Sequence, residues 1–248
     1  MMHRLIPLLA ALPIVCLTVS ACCAGIDDCV PAEPLVEGEP EQQGLQQEPT
    51  VDEAAPDAPA DSVGRDYPEF AEIGSPAPLF TLADVAGESH SLADLRGKTV
   101  VLEWFNPECP FVVHAHEKGP LKEMKSSLPN AELIWLAINS GAPGKQGSGA
   151  EKNRSYIEKW SLEHAVLLDE GGAVGRSYQA KTTPHVYVID PKGILVYRGA
   201  LDNAPRGRLK GKAYINYLEA ALSSLSAGRS VEYVDTRPYG CSVKYGGQ

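Results

Sequence analysis

The chain has 248 residues, enough for one sizeable domain with extensions, and its formal net charge is −10. That charge comes from one region, because eleven acidic residues and no Lys or Arg lie between Asp27 and Gly64, which leaves 21 acidic and 22 basic residues elsewhere. The nearly neutral remainder lacks the basic patch of a nucleic-acid-binding protein and the acidic cluster of a hard-metal site, so neither class is indicated.

The first 22 residues have the pattern of an export signal. Arg4 precedes the apolar stretch LIPLLAALPIVCLTV, which is short for a membrane span and is interrupted by Pro7 and Pro13. The sequence VSAC then matches a bacterial lipobox, so we expect residues 1–22 to be a signal peptide and Cys22 to be lipidated as a membrane anchor. An ordinary signal peptide cut after a small residue is the alternative. Either reading exports the protein to the cell envelope or periplasm, where disulfides persist.

Residues 23–66 are rich in Pro, Glu, Gln and Ala, and they show no apolar periodicity. Such a segment cannot bury enough surface to offset its chain entropy, so it is predicted to be a disordered, semi-extended tether. The composition changes at Tyr67, and we assign residues 67–229 to a folded domain. Residues 230–248 form a C-terminal extension that carries Cys241.

The folded domain is predicted to alternate strands and helices. A hairpin and a helical turn come first, and the apolar run TVVLEWF (99–105) then predicts a central buried strand. Residues 110–128 predict a helix that Pro120 kinks or splits. The remaining prediction is a strand over 131–139, a Gly-rich surface loop over 140–149, a helix, a short strand, a further helix, strands over 185–190 and 194–201, and a helix over 212–228. The glycine spacing of the loop excludes a phosphate loop. This order indicates an α/β sandwich with a mixed sheet.

Cys109 lies in EWFNPECPFVVHAH (103–116), directly after the predicted central strand. Pro110 suits the first position of the following helix, since its missing N–H would have no partner there. A thiol at that point faces the positive end of the helix dipole and its free N–H groups, which favour the thiolate. The sequence therefore predicts an acidic, nucleophilic cysteine. A small buried apolar cysteine without chemistry is the alternative.

The segments GSPAPLFTL, LRGKTVVLEWF, KTTPHVYVID and ILVYRGALDN together resemble the thioredoxin-fold redoxins, over roughly residues 69 to 228. That superfamily includes the alkyl hydroperoxide reductase/thiol-specific antioxidant proteins and thioredoxin-like proteins. The resemblance implies a thioredoxin-like fold with a mixed central sheet flanked by helices. It also implies that the Thr183–Pro184 bond is cis and packs against Cys109.

The sequence departs from both active-site patterns of these redoxins. Aligned with Cys-x-x-Cys, residues 106–109 keep only the second cysteine, so Asn106 replaces the first. Aligned with the Thr-x-x-Cys of peroxiredoxins, Asn106 replaces the Thr, Leu102 a Pro and Pro184 an Arg. Asn106 could still donate a hydrogen bond to a peroxide, with Arg198 as a second candidate donor.

Cys241, in TRPYGCSVKY, is the remaining cysteine outside the export and tether region. The resemblance implies that it could serve as a distant resolving thiol for Cys109, and Gly240 would permit a close approach. A structural disulfide and an idle thiol are the alternatives. Cys29 in the tether could compete for either partner.

Three other features carry weaker hypotheses. His185 could approach Cys109 as a base or soft ligand, or it could pack into the sheet. Glu103 is either at a strand edge or a buried acid near the thiol. His114 and His116 diverge on the predicted helix and are expected to be solvated there.

We therefore expect an exported oxidoreductase without a cofactor, in which Cys109 exchanges with a disulfide or a peroxide. Its partner would be a redox protein or a small thiol. A copper(I)- or protein-binding module is the main alternative, since thiolate and imidazole suit copper(I). A catalytically inactive adaptor is a third hypothesis.

Overall fold

The computed structural model describes residues 67–127, 133–209, 211 and 213–247. The predicted signal peptide, the lipidation site Cys22, and the tether with Cys29 lie outside these residues. Within the described ranges, no helix has the length and apolar character required to cross a membrane.

Nine strands and five α-helices follow one another in the described residues. The strands are β1 (Thr81–Ala83), β2 (Ser89–Ser91), β3 (Thr99–Trp104), β4 (Leu133–Asn139), β5 (Ala165–Leu168), β6 (Thr182–Thr183), β7 (His185–Ile189), β8 (Leu195–Gly199) and β9 (Cys241–Ser242). The helices are α1 (Pro110–Glu117), α2 (Pro120–Ser127), α3 (Ala150–Trp160), α4 (Ala173–Ser177) and α5 (Tyr217–Ser226). Short 3₁₀ turns cover Leu92–Leu95 and Pro205–Gly207.

A five-stranded mixed sheet with the order β5-β4-β3-β7-β8 forms the centre of the domain. β3, β4 and β5 run parallel, whereas β7 is antiparallel to both β3 and β8. The apolar run that predicted a central strand is β3, and five of its six residues are buried. This mixed sheet flanked by helices confirms the predicted thioredoxin-like fold class.

The two faces of the sheet bury different side chains because residues alternate along each strand. One face packs aromatic residues in edge and tilted contacts, among them Trp104, Tyr178 and Tyr187. The other face carries Val101, Val186 and Val188 against the helices. The site described below lies at the start of α1, where Cys109 is the N-cap.

One helix prediction is confirmed in detail and another is corrected. Pro120 splits the predicted helix over 110–128, because α1 ends at Glu117 and Pro120 begins α2. The helix predicted over 212–228 is wrong in its first part, since α5 begins only at Tyr217, with Asn216 as its N-cap. The side chain of Asn203 explains the late start: it binds the Ala213 carbonyl and the Ile215 N–H, which holds that stretch in a loop.

The C-terminal extension lies on the domain along most of its length. It first runs beside β8, where Arg198 N–H donates to the Val234 carbonyl and Thr236 N–H donates to the Arg198 carbonyl. Asp235 forms an ion pair with the Arg198 guanidinium at 2.8 Å. The extension then supplies β9, which pairs antiparallel with the two-residue strand β6.

Candidate active site

Cys109 is the N-cap residue of α1, with Pro110 as the first helical residue, as the sequence predicts. The Cys109 carbonyl accepts the Val113 N–H at 2.9 Å and closes the first helical turn. Since the helix starts here, a Cys-x-x-Cys motif would occupy residues 109–112. The alignment of that motif with residues 106–109 is therefore wrong: Cys109 takes the first position, and Val112 replaces the second cysteine.

The second thiol beside Cys109 comes from the C-terminal extension. The Sγ atoms of Cys109 and Cys241 lie 2.8 Å apart, and both cysteines are free thiols. The Thr183 carbonyl accepts a hydrogen bond from the Cys109 thiol at 3.0 Å. Cys109 is fully buried, whereas Cys241 is partly exposed. The structure thus brings together three of the residues singled out from the sequence, although 132 positions separate the two cysteines.

Strand pairing fixes the position of Cys241. In the β6–β9 ladder Thr183 lies opposite Cys241, next to the Thr183–Pro184 peptide bond, which is cis as predicted. Gly240 adopts a φ of +145°. A Cβ at that position would lie 2.7 Å from the Thr183 carbonyl carbon and nearer still to its oxygen. Only glycine permits this approach, as the sequence indicated.

The two thiols differ in pKa because their surroundings differ. Burial raises the pKa of Cys109, but hydrogen bonds to its sulfur, chiefly from Cys241 and also from the backbone of Val112, outweigh burial, so the pKa is lowered overall. Burial, together with the adjacent Cys109, raises the pKa of Cys241 to about 11. One thiolate is therefore favoured at Cys109, with the proton kept on Cys241.

Two tyrosines hold the extension on either side of Cys241. The Tyr239 hydroxyl donates to Asp202 Oδ1 at 2.5 Å, and its ring lies 5.9 Å from that of Phe111. The Tyr245 hydroxyl donates to the Ala180 carbonyl at 2.9 Å. Asp202 is buried, so its hydrogen bond to Tyr239 is shielded from water.

Asn106 lies close in sequence to the thiol but binds the Gly-rich loop. Its Oδ1 accepts the Glu108 N–H at 2.9 Å, and its Nδ2 donates to the Gln146 carbonyl at 3.0 Å. The Glu108 carboxylate in turn accepts the Gly147 N–H and pairs with Lys152. The oxygen of the Asn106 amide thus holds the turn before Cys109, and its nitrogen holds the loop.

The weaker candidates have other partners in the structure. His185 Nδ1 pairs with the Tyr187 hydroxyl at 2.9 Å, and burial lowers the pKa of His185 to about 3. These contacts agree with the packing alternative for His185. Arg198 pairs with Asp235. Within the ranges that the structure describes, no three His, Cys, Asp or Glu side chains form a group that could hold a metal ion.

Glu103 and His116 form a buried pair that the sequence did not indicate. Glu103 Oε1 lies 3.2 Å from His116 Nε2, and both side chains are almost fully buried. His116 also stacks on Trp160, with centroids 4.8 Å apart. The expectation that His116 is solvated is therefore wrong, because the turn of α1 that carries it faces the sheet.

A family model described as AhpC/TSA matches residues 73–198, half of the chain. The chain belongs to the AhpC/TSA family. The matched stretch includes Cys109 and the Thr183–Pro184 bond, whereas Cys241 lies beyond it. The second thiol is therefore supplied by a segment outside the AhpC/TSA match.

Several curated proteins are similar to this AhpC/TSA chain. Thioredoxin-like protein YneN of Bacillus subtilis is 28% identical over 123 residues, which cover 49% of this chain and 68% of YneN. Thiol-disulfide oxidoreductase ResA of Geobacillus kaustophilus is 29% identical over 121 residues, or 49% of this chain and 65% of ResA. A putative peroxiredoxin of Coxiella burnetii is 28% identical over 123 residues, or 50% and 76% of the two chains. The match thus spans slightly less than two thirds of ResA, and the names agree with the expected redoxin class of oxidoreductase.

The solved structure of a hypothetical protein from Sinorhizobium meliloti 1021 is similar in fold. It superposes with a TM-score of 0.63 at 25% identity, covering 71% of this chain and 96% of that one. An uncharacterized conserved protein from Geobacillus kaustophilus gives a TM-score of 0.61 at 29% identity, covering 71% and 94%.

Sequence reasoning missed how the AhpC/TSA domain holds its C-terminal extension. Asp202, just after β8, accepts a hydrogen bond from Tyr239. The Thr183 carbonyl accepts a hydrogen bond from Cys109 Sγ, and Thr183 pairs with Cys241 in the β6–β9 ladder. The sequence TRPYGC did show one half of the Tyr239–Asp202 contact, because it places Tyr239 two residues before Cys241. Its partner Asp202 is 37 positions away, beyond the reach of any local pattern.

Proposed function

We propose that the protein is an exported thiol-disulfide oxidoreductase in which Cys109 is the nucleophile and Cys241 the resolving thiol. The observation that carries the proposal is the 2.8 Å separation of the two sulfurs. The lowered pKa of Cys109 supports the assignment of roles, because the thiolate is the attacking species.

The reaction would proceed in two exchanges. The Cys109 thiolate attacks one sulfur of a substrate disulfide, forms a mixed disulfide and expels the other substrate sulfur as a thiolate. Cys241 then loses its proton and attacks Cys109 Sγ, which releases the second substrate thiol and leaves a Cys109–Cys241 disulfide. A thiol protein or a small thiol would return the pair to its reduced state.

Disulfide exchange is better supported than peroxide reduction. Cleavage of a peroxide bond requires donors aimed at its oxygens. Asn106 binds the Gln146 carbonyl and the Glu108 N–H, and Arg198 pairs with Asp235, so both sequence candidates for such a donor are engaged with other groups. The copper(I)-binding alternative has little support as well, since His185 pairs with Tyr187.

The test is oxidation of the reduced full-length protein with glutathione disulfide, followed by peptide mapping. We expect a monomeric Cys109–Cys241 disulfide in the wild type. The Cys241→Ala variant should stop at a glutathione adduct on Cys109, and Cys109→Ala should be inactive in insulin reduction. Free thiols at both positions after oxidation, or Cys241 bonded only to Cys29, would contradict the proposal. Hydrogen peroxide in parallel tests the peroxidase alternative, which predicts a sulfenic acid on Cys109 in Cys241→Ala.

Export and lipid anchoring belong to the same proposal. The supporting observation is the VSAC sequence after an apolar segment interrupted by prolines. Fatty-acid labelling in a bacterial host should mark the wild type and place it in the membrane fraction. A Cys22→Ser variant that keeps both the label and the membrane fraction would refute the anchor.

A further inference from the structure

Cationic side chains lie on both sides of the partly exposed Cys241. The first pair, beside the β6–β9 ladder, is Lys181 and Lys244. The Val243 N–H donates to the Lys181 carbonyl, which holds Lys181 next to the extension. Lys244 Nζ donates to Ser242 Oγ at 3.3 Å. Burial raises the pKa of Cys241, and the charge of Lys244 opposes that rise, so this charge acts at the sulfur.

The second pair, Arg206 and Arg208, lies in the exposed loop after β8. The Arg206 guanidinium is 6.0 Å from the centre of the ring of Phe111, the second residue of α1. That ring in turn lies 5.9 Å from the ring of Tyr239, two residues before Cys241. Arg206 has a φ of 54°, which is uncommon for a residue other than glycine and is more frequent at functional sites. The loop is thus placed over the start of α1, on the Tyr239 side of Cys241.

The positive charge of these four side chains is not neutralised locally. None of the four forms an ion pair with a carboxylate in the part of the chain that the structure describes. Three carboxylates near the site are engaged elsewhere, in two ion pairs and one buried hydrogen bond: Glu108, Asp235 and Asp202. The surface beside the thiols therefore attracts negative charge, although the domain as a whole is nearly neutral.

We propose that the substrate disulfide is carried by an acidic segment of a partner protein, with carboxylates on both sides of the disulfide. The inference rests on the proposed function, because it names the substrate class of the same site. From Tyr239 to Lys244 the extension spans at most ~18 Å. In an extended partner chain, carboxylates two or three residues before and after the disulfide sulfur match that spacing, so they reach both cation pairs while the sulfur lies at the thiols.

An anionic membrane surface is the other source of negative charge. A lipid surface seated on both cation pairs would cover Cys241, which lies between them, and would exclude a substrate disulfide from the thiols. The placement of the cations on two sides of the sulfur therefore favours a chain that passes over the site.

The attraction acts on the approach of the substrate, before any bond is exchanged. Complementary charge raises association rates by about 10- to 1,000-fold, and the effect decreases steeply as ionic strength rises. The exchange itself balances as in the proposed function: one substrate disulfide is reduced to two thiols, and the protein dithiol is oxidised to the Cys109–Cys241 disulfide.

Three disulfide-linked peptide homodimers test the proposal. They differ only at the second and third positions on either side of the cysteine, which are Glu, Gln or Lys. Their reduction by the reduced full-length protein is followed by acid quenching and chromatography. Each rate is divided by the rate with dithiothreitol, a neutral reductant, which removes differences in the reactivity of the disulfides themselves.

We expect the Glu peptide to react about tenfold or more faster than the Gln peptide at an ionic strength of about 0.01 M, and the Lys peptide more slowly than both. At about 0.5 M the difference between Glu and Gln should fall below about threefold. Equal rates for the three peptides at low ionic strength would overturn the inference. Failure of the protein to reduce any of them would instead contradict the proposed function, so the two failures are distinguishable.

Removal of each cation pair gives a second measurement. The double variants Arg206→Gln/Arg208→Gln and Lys181→Gln/Lys244→Gln should each lower the ratio of the Glu rate to the Gln rate by about threefold or more. Both rates are measured on the same variant, so a general loss of activity cancels from the ratio. An unchanged ratio in both variants would overturn the inference.

The matched control is Lys98→Gln/Arg229→Gln, which removes the same charge. Lys98 precedes β3, at the other end of that strand from Cys109, and Arg229 follows α5. The control should keep the wild-type ratio, and an equal decrease there would mean that net charge alone is responsible. If phosphatidylglycerol vesicles slow reduction of the Gln peptide by the wild type but not by either site variant, the cations serve a lipid surface and the inference is overturned.

Discussion

Replacement of Gly240 by alanine is the sharpest test of how the extension presents Cys241. The added methyl would lie 2.7 Å from the Thr183 carbonyl carbon and 3.2 Å from Pro184 N. Carbon atoms in contact normally lie ~3.5–4.0 Å apart, so the two chains must separate by about 1 Å. Because these neighbours are backbone atoms, no side chain can rotate to relieve the overlap.

The expected cost can be estimated from the backbone conformation and the strand pairing. A residue with a Cβ at the Gly240 φ of +145° is strained by about 1–3 kcal/mol. A separation of about 1 Å would also stretch the β6–β9 hydrogen bonds beyond their normal ~3.2 Å limit. Since ~1.4 kcal/mol corresponds to a factor of ten, the effective concentration of Cys241 beside Cys109 should fall by about 10- to 100-fold.

The assay is the equilibrium between the protein dithiol and a series of glutathione redox buffers. The fraction of Cys109–Cys241 disulfide is read by alkylation and peptide mapping. Gly247→Ala is the matched control, because it lies in the same extension and a Cβ there would meet nothing within 4 Å. If Gly240→Ala and Gly247→Ala have the same equilibrium constant as the wild type, the strand pairing does not position Cys241, and the reasoning fails.

Three further predictions concern acidity and anchoring. The rate of Cys109 alkylation against pH should show a pKa below that of an ordinary thiol, and Cys241→Ala should move it upward, because Cys241 donates to the thiolate; an unchanged profile would argue against this hydrogen bond. His185 has a pKa of about 3 in the folded protein. Below the ordinary pKa of histidine, the same side chain therefore takes up a proton in the unfolded chain while it stays neutral in the folded protein. Stability should therefore decrease as the pH falls below ~6.5, by about 2 kcal/mol at pH ~5, and urea unfolding of His185→Gln should show a flatter dependence if this is correct. Tyr239→Phe removes the donor to the buried Asp202 and should lower the free energy of unfolding by about 1–3 kcal/mol, whereas an unchanged urea midpoint would mean that this contact does not anchor the extension.

The start of α1 and the central strand were predictable because their signals are local. The apolar run of β3 and the Cys109-Pro110 pair each specify structure within a few residues. The cis bond before Pro184 followed from the family resemblance and was confirmed.

The sequence pattern alone did not show which four residues correspond to the Cys-x-x-Cys motif. Residues 106–109 and 109–112 both fit a four-residue motif at the start of a helix, and only the helix boundary at Pro110 decides between them. The role of Asn106 was also hidden, because its partner Gln146 lies 40 positions away in the loop. Long-range contacts of this kind depend on the tertiary fold and not on the composition of either segment.

The burial of His116 shows a different limit. Two histidines two positions apart point in different directions on a helix, so the pair gave no reason to expect that one of them faces the sheet. Glu103 is an acid in an otherwise apolar strand, but its partner His116 lies on α1, and only the packing of α1 against the sheet brings the two together.

The stretch of the extension before β9 has a consequence for solubility. β8 is the outermost strand on its side of the sheet, and an outer strand with free backbone groups can pair with another molecule. Residues 234–236 lie along it and occupy both the N–H and the carbonyl of Arg198. The segment that carries Cys241 thus also covers part of the free edge of β8. A chain shortened after Gly228 would lose its second thiol and expose that edge at once, so its self-association should increase along with the loss of exchange.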